Sequence, residues 1–209
     1  MSAKFSEVEF AAIKDMIVAY EWGQRTLLTL LDIVQQDFEY FHKQNPIEHI
    51  RGRIKSYESI AEKLQRLGHD ITAANARNCL YDIAGIRIIC AFAEDIYTLA
   101  EVIKSVPNIN VIIEKDYISK PKPSGYRSYH IIAEVPVFYS AKTEVIPVEI
   151  QIRTSAMDFW ATLEHKARYK YKEHIPQHLC DELAVCADAI SDLDNRMFLI
   201  HEIISLINR

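Results

Sequence analysis

Near the N-terminus Phe10, Ile13, Ile17, Tyr20, Leu27, Leu31, Val34, Phe38 and Phe41 recur at alternating three- and four-residue steps, with Gln24 interrupting the seam. That period predicts a long amphipathic helix over residues 1–43. Asn45-Pro46 ends it and starts a second helix, with proline in the first turn. This helix carries Ile47, Ile50, Ile54, Tyr57, Ala61 and Leu64 on one side, and Gly68 closes it. The period then changes to two. β-Branched alternation over residues 86–90, 109–113, 129–137 and 145–152 predicts strands, with a helix over 94–106 between the first two. The last two strands form a hairpin across residues 138–143. The expected class is α+β, a mixed sheet flanked by long terminal helices.

From Pro176 onward Leu179, Leu183, Cys186, Ile190, Leu193, Met197, Ile200, Ile204 and Ile207 restore the helical step, predicting a C-terminal helix over 176–209. A seam this long needs a partner, either the N-terminal helix of the same chain or another subunit. No linker or repeat divides the 209 residues, so one domain with its core over residues 46–172 is expected.

Charge and cysteine usage narrow the class. A net charge of -5 argues against a general nucleic-acid coat protein and leaves room for local basic patches. The four cysteines have no CxxC spacing and are expected as reduced, mostly buried thiols. No apolar run approaches the roughly 18 residues of a membrane span. The first residues lack the apolar core of a signal peptide, so a cytoplasmic protein is expected.

Three polar constellations carry candidate chemistry. On the expected second helix Arg51, Lys55, Ser59, Lys63 and Arg66 share one face at about 100° per residue, with Arg53 at its edge. Such a row suits a polyphosphate, or it is a solvated face with Glu58 and Glu62 as partners. Asp82 stands at the mouth of the first strand beside Gly85, with Arg87 projecting further along. It is either a turn residue or a carboxylate placed for Mg²⁺. In the last strand Glu149, Gln151 and Arg153 share a face; Glu149 with Asp82 would supply the two carboxylates of a Mg²⁺ site completed by substrate oxygens. Glu149 also suits proton acceptance from an attacking hydroxyl.

The loop Lys122-Pro123-Ser124-Gly125-Tyr126-Arg127-Ser128-Tyr129-His130 gathers cations, hydroxyls and an aromatic ring around one glycine, a combination fit for phosphates and a base. His69-Asp70 and the pair His174 and His178 lack supporting ligands, and Pro176 breaks the helix that would align the latter. The sequence contains neither GxxxxGK[ST] nor GxGxxG, so phosphate binding falls to side-chain cations.

Together with Arg53-Ile54-Lys55-Ser56, Asp82-Ile83-Ala84-Gly85-Ile86-Arg87, Glu149-Ile150-Gln151-Ile152-Arg153-Thr154 and Trp160-Ala161-Thr162-Leu163-Glu164-His165-Lys166, the loop resembles the synthetase domain of the RelA/SpoT alarmone family. The motifs run in family order, and the length resembles a stand-alone small alarmone synthetase. Ser124 departs from the family's commoner asparagine.

The resemblance implies a nucleotidyltransferase-like fold and Mg²⁺-dependent transfer of pyrophosphate from ATP to the 3′-hydroxyl of GDP or GTP, giving ppGpp or pppGpp. It implies that Arg53 and Arg87 sandwich adenine, that Lys55, Ser59, Lys63 and Arg66 bind ATP phosphates, and that Asp82 and Glu149 hold the metal. It further implies that Tyr126 stacks on guanine while Lys122, Arg127, His130, Gln151 and Arg153 hold the acceptor. A homotetramer through the terminal helices and synthesis without hydrolysis complete the expectation. A nucleotide- or RNA-binding regulator would need the cations but not both carboxylates. A nucleotidyl transferase would typically carry a Gly-Ser and paired-acid strand motif, which is absent. Neither membrane nor DNA is an expected partner.

Overall fold

The computed structural model describes residues 5–42, 45–170 and 175–207. Its elements are α1 (Glu7–Asp37) with a π-helical turn (Phe38–His42), β1 (Ile47–Ile54), α2 (Tyr57–Arg66), α3 (Ala73–Cys79), β2 (Ala84–Cys90), α4 (Ala93–Ser105), β3 (Asn110–Asp116), β4 (Tyr129–Phe138), β5 (Thr143–Thr154), α5 (Ser155–Lys170) and α6 (Gln177–Ile207). The five strands lie in the order β1-β2-β5-β4-β3; only β2 and β5 run parallel. The sheet is therefore mixed, as the alternating segments predict, and β4 and β5 form the expected hairpin.

The second helix expected over residues 46–67 does not form as one element. Its first half is the edge strand β1, antiparallel to β2, and its second half is α2. The cause lies in the pairing. Ile47 faces Cys90 and His49 faces Ile89, so one extra residue bulges out of β1 between them. The bulge puts Ile47, Ile50 and Ile54 on one face, and in sequence that spacing looks helical. Asn45 accepts a hydrogen bond from the Ile47 amide at 2.9 Å, making a turn into the strand rather than a helix start. Ser56 caps α2 through the Ser59 amide, and Gly68 follows its last turn at φ 76°.

One face of the sheet carries Ile86, Ile88, Ile131, Ile150 and Ile152, all buried, and is covered by α1 and α4. Gln24 explains its place in the α1 seam. Its side-chain amide donates to the carbonyls of Arg53 at 2.7 Å and Gly85 at 2.8 Å, tying the helix to both β1 and β2. A Cβ on Gly52 would lie 2.9 Å from the end of the Gln24 side chain and would push its amide from this position.

The C-terminal helix packs against α5, not along α1. Trp160 donates its indole N–H to the Leu183 carbonyl at 3.0 Å, and Trp160, Ala161 and Ala187 form a small second core. Of the four cysteines only Cys90 is buried, and Cys186 is exposed, so the thiols are less buried than expected; all four are unpaired. Among the described residues no helix is long and apolar enough to cross a membrane.

Candidate active site

The face of the sheet opposite α1 carries the polar residues, and register sets them in two rows. One row reads Arg51, Arg87, Gln151, His130, Lys115 across all five strands; the adjacent row reads Arg53, Gly85, Glu149, Ile132, Ile113. Period two fixes which residues share this face within each strand, while strand order decides which become neighbours.

Two cavities open on this face. The first, about 200 Å³, is lined by Arg51, Gly52, Arg53, Gly85, Ile86, Arg87, Glu149 and Gln151. The second, about 240 Å³, is lined among others by Lys63, Asp82, Lys115, Tyr117, Lys122, His130 and Glu149. Glu149 borders both. The Arg53 side chain lies across Gly85, 3.6 Å from where a Cβ would stand, which is ordinary van der Waals distance.

Asp82 forms the corner between β1, α2 and β2. The Lys55 amide donates to the Ile83 carbonyl at 2.8 Å, joining the end of β1 to the approach to β2. The ammoniums of Lys55 and Lys63 converge on Asp82 Oδ2 at 2.8 and 2.6 Å. Burial alone would raise the Asp82 pKa, but these two bonds and charges hold it below the usual carboxylate value. Asp82 Oδ1 is buried with no partner. Such an oxygen, in a carboxylate held ionised, fits a cation ligand. Burial likewise works against the Glu149 charge, and Asp82 raises its pKa further. Hydrogen bonds from His130 (3.4 Å) and Gln151 (2.8 Å) outweigh both and hold Glu149 low. Among the described residues no three His, Cys, Asp or Glu side chains gather as a metal site, so two carboxylates plus ligand oxygens are what this corner offers.

The wall beyond Glu149 is aromatic and cationic. Tyr126 O–H and His130 Nε2 are 2.8 Å apart, Tyr117 packs edge-on against both rings, and the Lys122 ammonium sits 4.6 Å from the Tyr117 ring and 4.8 Å from that of Tyr126. A turn closed by the Gly125 amide on the Lys122 carbonyl (2.8 Å) presents this group. Gly125 has φ 85°, and a Cβ there would meet Ala187 of α6 at 2.5 Å, so both backbone and packing demand glycine.

Arg153 is almost wholly buried, its side chain 5% exposed, and donates to Tyr126 O–H, Gln151 Oε1 (2.9 Å) and Ser128 Oγ (3.3 Å). Burial and the neighbouring Arg153 charge lower the Arg87 pKa, while Asp158 acts in the opposite sense.

The structure thus brings together Arg53, Arg87, Glu149 and Gln151 at one cavity, and Lys63, Asp82, Lys122, His130 and Glu149 at the other. Lys55, Tyr126 and Arg153 are in direct contact with these groups. The proposed continuous row Arg51, Lys55, Ser59, Lys63 and Arg66 is split between a strand, a loop and α2. Ser59 and Arg66 are exposed and line neither cavity. Arg127 points elsewhere: its guanidinium bonds Asp188 of α6 at 2.9 Å and the Gly125 carbonyl at 3.2 Å. His174, half of the discounted histidine pair, lies outside the described residues. Sequence reasoning missed Lys115 and Tyr117, which line the second cavity, and Asp158. The alternation of β3 carried the signal for Lys115; nothing local marks Asp158.

Residues 52–174 match the family described as the region found in RelA / SpoT proteins. GTP pyrophosphokinase YwaC of Bacillus subtilis is 45% identical over 184 residues, covering 88% of each chain. The crystal structure of small alarmone synthetase 2 from B. subtilis superposes with a TM-score of 0.82 at 42% identity, covering 90% of this chain and 97% of that one. Small alarmone synthetase 1 from B. subtilis, bound to its product pppGpp, gives 0.83 at 36% identity, covering 90% and 96%. The chain belongs to the RelA/SpoT family of alarmone synthetases.

Proposed function

We propose that the protein is a GTP pyrophosphokinase that transfers the β,γ-pyrophosphoryl group of ATP to the 3′-hydroxyl of GDP or GTP, releasing AMP and forming ppGpp or pppGpp. The observation that carries this reading is the position of Glu149 on the wall shared by two cavities, with cations in both. ATP occupies the cavity of Arg53 and Arg87, whose planar guanidiniums suit stacking on adenine. Its phosphates extend toward Lys55, Lys63 and Asp82, with Ser59 and Arg66 of α2 beyond. The acceptor takes the other cavity, guanine against Tyr126 and 5′-phosphates near Lys122, His130 and Arg153, with Gln151 reaching toward it from the first cavity's wall beside Glu149. Arg127 serves the acceptor only through the loop it anchors to α6.

Both cavities meet at Glu149. The acceptor 3′-oxygen attacks the ATP β-phosphorus, the bond from that phosphorus to the α,β-bridging oxygen breaks, and Glu149 receives the hydroxyl proton. The lysines spread positive charge along the transferring group, so positioning and electrostatics supply most of the acceleration. Asp82 and Glu149 would hold Mg²⁺, which supplies further charge neutralisation at the phosphates. We also place the enzyme in the cytoplasm as a homotetramer built through its terminal helices, in keeping with the exposed apolar side chains of α6.

Incubation with Mg²⁺, GDP or GTP, and ATP labelled at the β-phosphate tests the reaction. Label in a guanosine tetra- or pentaphosphate is the expected outcome, and its absence under varied metal and acceptor conditions overturns the assignment.

A further inference from the structure

One carboxylate oxygen joins the two halves of this site. Arg87 lines the first cavity, and its Nη1 lies 3.1 Å from Asp158 Oδ1. Arg153, which bonds Tyr126 beside the second cavity and Gln151 on the wall of the first, places its own Nη1 3.1 Å from the same Oδ1. Without that carboxylate, two neighbouring guanidiniums, one of them nearly fully buried, would face each other with like charge.

Asp158 is itself held in place. It sits in the first turn of α5, where a negative charge is favoured by the helix dipole. That turn is fixed by Thr154 Oγ1, which accepts from the Met157 amide at 3.2 Å and donates to Asp194 of α6 at 2.7 Å. Asp158 is therefore a fixed point between two arginines that serve different ligands.

We propose that Asp158 is a positioning residue that couples the donor and acceptor subsites through Arg87 and Arg153, so that each nucleotide raises the affinity for the other. The inference rests on the reading that Arg87 serves ATP and Arg153 the guanine nucleotide. Binding of a base on Arg87, the more exposed of the two, fixes its share of the Oδ1 charge and with it the charge balance around the already buried Arg153. The second nucleotide then binds beside a guanidinium pair that is already balanced. Linkage requires the effect to be reciprocal, and a factor of about 5 or more is expected for such a coupling.

Titration calorimetry of the full chain in Mg²⁺ buffer tests it, using GDP and the non-transferable analogue adenosine 5′-(α,β-methylene)triphosphate, each alone and with the other saturating. Wild type should bind GDP about 5-fold or more tightly with the analogue present, and the analogue equally more tightly with GDP present. Asp158→Asn should bring both ratios close to one while each nucleotide alone still binds within a few-fold of wild type. A residue needed only for the local fold would weaken single-nucleotide binding and leave the ratios unchanged. Asp158→Glu keeps the charge that the buried arginine needs and should restore at least half of the wild-type ratio; it decides the matter if the asparagine variant does not fold. Equal ratios in wild type and Asp158→Asn, no coupling in wild type, or no recovery in Asp158→Glu each overturn the proposal. Failure of wild type to bind either nucleotide sinks the two-substrate reading instead.

Discussion

Glu149 owes its ionised state to two neighbours. Burial and the Asp82 charge both push its pKa up, and the hydrogen bonds from His130 and Gln151 hold it below the usual glutamate value. Asp82 is held low in the same way by Lys55 and Lys63. For an acid whose pKa is depressed on folding, the stabilisation is fully present above the unfolded value and is lost as pH falls through the folded one. The urea midpoint should therefore stay level from pH 7 to about pH 5 and fall below about pH 4, near and under the ordinary carboxylate values. A midpoint that drops between pH 7 and 6 contradicts these assignments. Glu149→Gln keeps the shape and the Gln151 neighbour but removes the proposed proton acceptor and one negative charge. Turnover should fall by about 10²–10⁴-fold, with GDP binding by calorimetry largely kept. A variant with wild-type turnover removes Glu149 from the chemistry.

At the scale of elements, β1 is the informative case. A bulged edge strand presents isoleucines at three- and four-residue spacing, and single-residue periodicity cannot separate it from a helix. Its pairing with β2 is what lays Arg51 and Arg53 on the same face as Arg87 and Glu149. Gln24 holds that pairing from the helix side by donating to a carbonyl on each strand. Gln24→Leu would fill the seam with the apolar residue its period favours and still leave both carbonyls without this donor. The expected cost is about 1–3 kcal/mol. The thermal midpoint followed by circular dichroism should drop by about 2–4 °C per kcal/mol for a chain of this size. A midpoint at or above wild type would show that the seam gains more from leucine than the sheet gains from glutamine.

Across the whole molecule, α6 leaves much of a long apolar seam exposed. Leu193, Met197, Ile200 and Ile204 are at least half exposed, while Ala187 of the same helix is buried against α5. The helix is also tied to the active site, since Asp188 holds Arg127 and Ala187 faces Gly125. Whatever covers α6 thus borders the loop that carries Gly125 and Arg127. If the seam joins subunits, Leu193→Asp introduces a charge into it and should lower the native mass measured by light scattering. An unchanged mass refutes the interface at that position.

The sequence by itself determined the four recognised strands, the hairpin, both terminal helices and the charged residues that line the two cavities, all but Lys115. These follow from properties of adjacent residues: period two, period 3.6, caps, and the chemical types needed for phosphates and bases. Only tertiary structure decided that residues 47–54 form a strand, that α6 lies on α5, that Arg127 turns to Asp188, and that Asp158 stands between Arg87 and Arg153. The parallel pairing of β2 with β5 likewise brought Asp82 and Glu149, distant in sequence, to one cavity. Each of these depends on which strands and helices become neighbours, and that is settled by burying whole faces against one another, a property that no local window of sequence contains.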